Sequence, residues 1–449
     1  MRLPSILNLR GSTQSALLKR NILASFMLKG VSILISFFIV PLTIDFVNPT
    51  QYGIWLTLSS LLAWFSFFDI GLSLGFRNRF AQAKAKGEFR LAREYVSTTY
   101  ATLFVLAVAM LAITLTVNHF LDWSSILKVD PSYGSELSQV FAIMITFFGI
   151  NLVAQTFSSM VTADQHPAIS SAIQVSGQAM AIILIFALTR SAAPGSLVTL
   201  SLIYSGAPMA MLLLATAVMF ATSYRAYAPS ISAIRPRLIK SILGIGGQFF
   251  IITTSMLFIF QLMNVIISRN IGPDAVTGYN IAYKYLNSVY MIAVLILNPF
   301  WSAFTDAYTR GNLEWMRRML RRLEMLWLVA IPLVGILLLA APWFYSIWIG
   351  RSVTVSPSIS VSVAVYTLLL MLANIYMYLI NGTGKVRIQL IIYLTFAIIS
   401  YPIMNFSCAR WGIPGLLIVP ATVYLCQALL GRIQLHRLIN NTATGLWDK

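Results

Sequence analysis

Charge is what this sequence has least of. Only 13 of 449 residues are Asp or Glu, and charged residues of both signs make up 10%, against about 25% in soluble chains. So little charge cannot keep in water a chain that is 58% hydrophobic, with a mean hydropathy of +0.80. Soluble enzymes, disordered scaffolds and extracellular modules are excluded. Histidine and cysteine are almost as scarce, at 3 and 2. His119, His166 and His436 are scattered at the ends of apolar runs. Cys408 and Cys426 fall on neighbouring runs at different depths. No metal site, disulfide or nucleophilic constellation is expected from them. There is no Walker-type loop to hold a nucleotide, and no cofactor is expected.

Long apolar runs are what the sequence has instead. Crossing about 30 Å of hydrocarbon as helix takes about 20 residues, and twelve runs qualify: 21–47, 54–76, 95–119, 136–161, 170–189, 197–221, 241–268, 278–303, 323–344, 358–381, 389–409 and 414–431. The first is too long for a signal peptide. Solid apolarity, rather than short alternating segments, argues against transmembrane strands. The expectation is an all-α polytopic membrane protein of twelve transmembrane helices. Trp123, Trp343 and Trp348, at outer span ends, read as an aromatic belt.

The formal charge of +18 is explained by where the cations sit. With both termini cytoplasmic, 24 of the 31 Lys and Arg fall on the inner side, 5 on the outer side, and only Lys29 and Lys284 within spans. That split sets the orientation by the positive-inside rule and leaves no case for nucleic acid as a partner.

The chain also repeats. AKAKGEFRLAR (83–93) aligns with AYTRGNLEWMR (307–317), matching Lys86-Gly87 to Arg310-Gly311 and Arg93 to Arg317 at an offset of 224, which Pro49 and Pro273 share. Pro194-Gly195 and Pro414-Gly415 recur at 220. Six spans per repeat insert with the same orientation, predicting two six-helix lobes related by a pseudo-two-fold along the membrane normal. The expected organisation is a basic leader over 1–20, an N-terminal lobe over 21–222, a cytoplasmic linker over 223–240, a C-terminal lobe over 241–431 and a cytoplasmic tail over 432–449.

At 100° per residue, polar residues gather on single faces of three spans. Ser25, Lys29, Ser32, Ser36 and Thr43 share one face of the first, and Ser59, Ser66, Asp69 and Ser73 one face of the second. On the eighth, Asn280, Lys284, Asn287 and Asn298 align, flanked by Tyr283 and Tyr290. Serines on such faces serve as inter-helix hydrogen-bonding glue. A lysine with three asparagines suits a polar cavity, where Asn and Tyr contact sugar and the lysine holds a phosphate as a point charge. Lys29 and Asp69 lie at similar depth, roughly 12 Å from the inner ends of their spans, and are expected within ion-pair reach. Asp45, near the outer end of the first span, is a secondary candidate for ion coupling.

PTQYGIW (49–55), FDIGLSLGFRNRFA (68–81), the repeated Lys/Arg-Gly loop, NGTGK (381–385) and WGIPG (411–415) together resemble the polysaccharide-transporter branch of the multidrug/oligosaccharidyl-lipid/polysaccharide exporter superfamily, the Wzx-type O-antigen flippases. The resemblance implies two lobes alternating access in a bacterial inner membrane. Their cargo would be an undecaprenyl-diphosphate-linked oligosaccharide, moved from the cytoplasmic to the periplasmic leaflet. The partners so implied are that substrate, membrane lipids, and the polymerase and glycosyltransferases of the same surface-polysaccharide pathway. Of that family's charged lumen this sequence offers Lys29, Asp69, Arg77 and Lys284. Two other readings share the composition: a cation-coupled multidrug antiporter, which needs acidic residues inside a lobe, and a membrane polysaccharide polymerase or ligase, which needs a larger outer loop.

Overall fold

The computed structural model describes residues 13–66, 72–164, 166–190, 195–243, 247–350 and 353–448. Among them every regular element is helical. Among the described residues nine helices are long and apolar enough to cross a membrane, so this is a multi-pass membrane protein. The described chain divides into two compact units. One takes in the residues up to Asn48 with Phe65–Ile126 and Asp130–Gly247; the other takes in Pro49–Trp64, Leu127–Val129 and the residues from Gln248 onward.

The first unit is built from α1 (Thr13–Val47), α3 (Leu72–Ala85), α4 (Phe89–Phe120), α5 (Gly134–Ala163), α6 (Pro167–Arg190) and α7 (Leu197–Ala221). Helix α1 packs on α6, α6 on α7, α7 on α5 and α5 on α4, with α3 against α4 and α5. Two residues of the polar face of α1 serve this packing. Ser32 Oγ donates to Gln178 Oε1 of α6 at 2.7 Å, and Thr43 Oγ1 lies 2.7 Å from the Tyr204 hydroxyl of α7. Close approach is set by Gly195, where a Cβ would strike the carbonyl of Phe46. Trp123 is not in an aromatic belt. It is 4% exposed, and its indole donates to Asn118 Oδ1 at 2.6 Å.

The linker is strapped to the first unit. Its three single turns, Arg225–Tyr227, Ile231–Ala233 and Pro236–Leu238, run along the start of α4. Arg93 Nε donates to the Ala228 carbonyl at 2.9 Å. The backbone N–H groups of Ser230 and Arg235 donate to Ser97 Oγ and Thr98 Oγ1 at 3.0 and 2.9 Å. Arg235 also pairs with Glu94 at 3.5 Å. Nearby, Asp164 gathers Lys84, His166 and the Tyr224 hydroxyl.

The second unit contains α2 (Pro49–Leu62), α8 (Gly247–Phe260), α9 (Leu262–Asn270), α10 (Pro273–Leu286), α11 (Ser288–Thr309), α12 (Leu313–Trp348), α13 (Pro357–Thr383) and α14 (Arg387–Ile439). The 53 residues of α14 would make a rod of about 80 Å. They instead form two helices, because Gly412 adopts φ +66° within the WGIPG turn, a conformation open to glycine and costly for other residues. The expected eighth span is broken at Asn287 between α10 and α11. The expected second span stops as α-helix at Leu62, continues as a 3-10 turn over Ala63–Ser66, and is described again from Leu72.

The repeat is visible at hydrogen-bond resolution. Gly87 and Gly311 sit at φ +74° and +68°. Around them, Gly87 N donates to Lys84 O at 3.0 Å as Gly311 N does to Tyr308 O at 3.1 Å, and Glu88 N to Ala83 O at 2.9 Å as Asn312 N does to Ala307 O at 2.8 Å. The Lys/Arg-Gly motif is therefore a left-handed turn used twice. The helix starts at the 224 offset also pack together, α2 on α10. Thr50 Oγ1 donates to Asp274 Oδ1 at 2.5 Å and Thr277 Oγ1 to the Pro49 carbonyl at 2.6 Å. Residues 50 and 274, and 53 and 277, are repeat partners, so these helix starts face one another about a local two-fold.

Candidate functional site

Helix α10 starts at Pro273, whose missing N–H suits a first-turn position, and carries Asp274 in that turn, where a carboxylate complements the helix dipole. One side is buried through Val276, Tyr279 and Ile281. Asn280 Nδ2 donates to Asn264 Oδ1 of α9 at 3.0 Å and to its own helix at Val276 O at 2.8 Å. One turn on, Lys284 is half-buried. Among the described residues its ammonium has neither an ion-pair nor a hydrogen-bond partner. At the break, Asn287 is 7% exposed and its Oδ1 accepts no hydrogen bond. An unpaired cation and an unpaired amide oxygen thus lie one turn apart at an interruption of the helix. Groups left this way inside a membrane helix are costly and mark functional positions.

Tyrosines surround this stretch. The Tyr283 ring centroid lies 5.9 Å from Tyr279 and 6.1 Å from Tyr366 of α13. Tyr366 lies 5.5 Å from Tyr424 of α14, which stacks on Phe260 of α8 at 5.1 Å. Tyr290, half-buried on α11, is near Tyr283, Tyr378 and Tyr393. This interior is therefore aromatic and hydroxyl-bearing, with Tyr279, Tyr366, Tyr393 and Tyr424 buried and Tyr283 and Tyr290 half-buried. The sequence reading stopped at α10 and α11 and missed Tyr366, Tyr393, Tyr424 and Asn264. Their signal was available: a tyrosine in the middle of an apolar span must find a partner for its hydroxyl, unlike one at the interface.

Lys29 and Asp45 are exposed on α1, and Arg77 is exposed on α3. Asp69 lies outside the described residues, and with it the expected pair to Lys29. Asn298 belongs to α11, but its side chain lies outside the description. A second missed cluster is Glu324 of α12, which accepts from the Tyr376 hydroxyl at 2.6 Å and pairs with Arg432 at 3.5 Å. Both cysteines are free, Cys408 buried and Cys426 half-buried. Among the described residues no group of three metal-ligating side chains occurs.

A family described as "Polysaccharide biosynthesis protein" matches residues 18–304, more than half of the chain. The chain belongs to that family. Comparison with curated proteins gave no sequence match. Solved structures that share its fold include a multidrug-resistance MATE family transporter of the MOP superfamily in two conformations. The inward-facing form is 13% identical, with a TM-score of 0.70 over 94% of this chain and 96% of that one. The outward-facing form is 14% identical, with a TM-score of 0.63 over 98% and 99%. A MOP-superfamily transporter from Pyrococcus furiosus, described as having a binding pocket of reversed polarity, is 14% identical, with a TM-score of 0.58 over 98% and 99%. At these identities the likeness establishes the fold of this family member: helical, multi-pass and two-lobed.

Proposed function

We propose that this protein is a flippase that moves an undecaprenyl-diphosphate-linked oligosaccharide from the cytoplasmic to the periplasmic leaflet of a bacterial inner membrane, by alternating access of its two lobes. It would act after the glycosyltransferases and before the polymerase of a surface-polysaccharide pathway. The observation that carries this reading is the unpaired Lys284 beside the unpaired Asn287 Oδ1, in a tyrosine-rich lobe of a polysaccharide-biosynthesis family member. Lys284 would take the diphosphate as a point charge. Asn280, Asn287, Tyr283 and Tyr290 would contact sugar, with Asn298, Lys29 and Arg77 further along the route, while the isoprenoid stays in lipid. Asp69 and Asp45 are the groups that could couple the cycle to an ion.

The test is transposition of labelled lipid-linked oligosaccharide in vesicles holding the purified chain. Lys284→Ala should slow it at least about tenfold, the scale of a lost charge-assisted contact, and Asn287→Ala by less. Unchanged turnover in the double variant would remove the site but leave the function. Failure of the wild-type chain to transpose, with drug sensitivity on deletion and intact surface glycan, would replace the flippase with the antiporter.

A further inference from the structure

The 224-residue repeat places four positions of α4 on four positions of α12: Arg93, Glu94, Ser97 and Thr98 correspond to Arg317, Arg318, Arg321 and Arg322. In the first unit those four α4 residues are the ones that grip the linker. In the second unit the same helix face carries four exposed arginines. The segment following α14 touches Arg317 alone of the four, through Asn440, and then folds over the 384–386 turn. There Lys385 pairs with Asp448 at 3.1 Å, and Gln434 Nε2 donates to the Lys385 carbonyl at 2.8 Å. Arg317 donates to Asn440 Oδ1 at 2.8 Å, and Arg318 meets only the exposed Glu314, at 3.6 Å. Arg321 and Arg322 have no hydrogen-bond or ion-pair partner among the described residues.

The direction of the face identifies what it meets. At 100° per residue the four arginines span an arc of about 140°, and Met325, Leu328 and Val329, all more than half exposed, continue in that arc. Cationic heads therefore pass within one turn into an apolar stripe, the profile of a helix leaving headgroups for hydrocarbon. A soluble acidic partner would leave that stripe unused. Beside it, between α11, α12 and α13, lies an apolar groove of about 170 Å³ lined by Leu326, Val329, Leu333, Ile292, Met371 and Ile375.

We propose that this face of α12 binds an anionic phospholipid of the adjacent leaflet. Arg321 and Arg322 hold the phosphate through their planar forks, Arg317 and Arg318 flank it, and one acyl chain lies along Met325 and Leu326 into the groove. In this family member the second lobe would then use a lipid where the first uses its own linker. The inference depends on the membrane-spanning fold and not on the transported substrate, so it stands or falls separately from the flippase reading.

Native mass spectrometry of the full chain in detergent, titrated with dioleoyl phosphatidylglycerol or dioleoyl phosphatidylcholine, reads the site directly. The wild-type chain should keep bound phosphatidylglycerol at concentrations where phosphatidylcholine leaves none. Arg321→Ala with Arg322→Ala should weaken it about thirty-fold, at the usual strength of a basic side chain near an anionic surface. Arg225→Ala with Arg237→Ala, removing two exposed cations of the linker, should not. Arg321→Lys with Arg322→Lys, which keeps charge and fold but loses the fork, should fall between and serves if the alanine pair misfolds. Free glycerophosphoglycerol should fail to compete, separating a lipid from a headgroup phosphate. Equal retention in all variants, an equal loss in the linker pair, or capture of an acidic polypeptide in preference to the lipid would each overturn the proposal.

Discussion

Gly53 has no room for a side chain: a Cβ would run into the carbonyl of Pro273, with Thr277 Oγ1 at 2.9 Å. Gly53→Val should therefore destabilise the protein by about 1–3 kcal/mol or more, since the obstacle is backbone. Thr277→Val, which loses only the bond to the Pro49 carbonyl, should cost about 1 kcal/mol. Thermal unfolding in detergent distinguishes the two, and a silent Gly53→Val would refute the contact. The prolines at the 224 offset were legible in the sequence. The complementarity beside them was not, because two repeat partners that face each other must differ, one yielding the volume the other fills. Tyr376 and Glu324 were unreadable for another reason. They lie 52 residues apart with no periodicity linking them. Tyr376→Phe should cost about 1–2 kcal/mol, as the bond is to a carboxylate. Arg432→Ala should cost under about 1 kcal/mol, because Arg432 is 60% exposed and its 3.5 Å pair is solvent-screened.

Helices and turns obey the repeat more faithfully than side chains do. If Gly87 and Gly311 close the same left-handed turn, Gly87→Ala and Gly311→Ala should each cost about 1–2 kcal/mol and by similar amounts. A clear inequality in their melting shifts would mean that the two turns carry different loads. The linker gives the complementary test. With Ser97→Ala and Thr98→Val its two backbone anchors on α4 are gone, and trypsin should cut after Arg237 several-fold faster, as local opening becomes cheaper. An unchanged rate would assign the docking to Glu94 and Arg93 alone. The nine spans found among the described residues were readable because apolarity persists over about 20 residues. The breaks at Asn287 and after Leu62 were not, because apolar residues continue through both and hydropathy is blind to backbone geometry. The break at Gly412 was readable, since glycine and proline stand together there.

At the scale of the whole molecule, the distribution of cations sets the expected orientation of the chain in its membrane. Twenty-four of 31 Lys and Arg fall on one side of the expected spans, and several have structural work there: Lys84 with Asp164, Arg90 and Arg235 with Glu94, and Lys385 with Asp448. Those pairs consume few of them, because only 13 acids exist in the chain. Cations on short turns oppose translocation, so the linker and the α3–α4 and α11–α12 turns are expected in the cytoplasm and the turn before α13 outside. In a background of Cys408→Ala and Cys426→Ala, single cysteines at Ser232 and Asn312 should be blocked only by a thiol reagent that enters the cell. A cysteine at Ser356 should be blocked by an impermeant one. All three sites belong to turns that the structure describes as exposed. The reverse pattern would invert the protein, move the arginines of α12 to the outer leaflet and deny Lys284 access to a cytoplasmic substrate. A mixed pattern would break the parity of six spans per repeat, and with it the parallel insertion on which alternating access of two equivalent lobes depends.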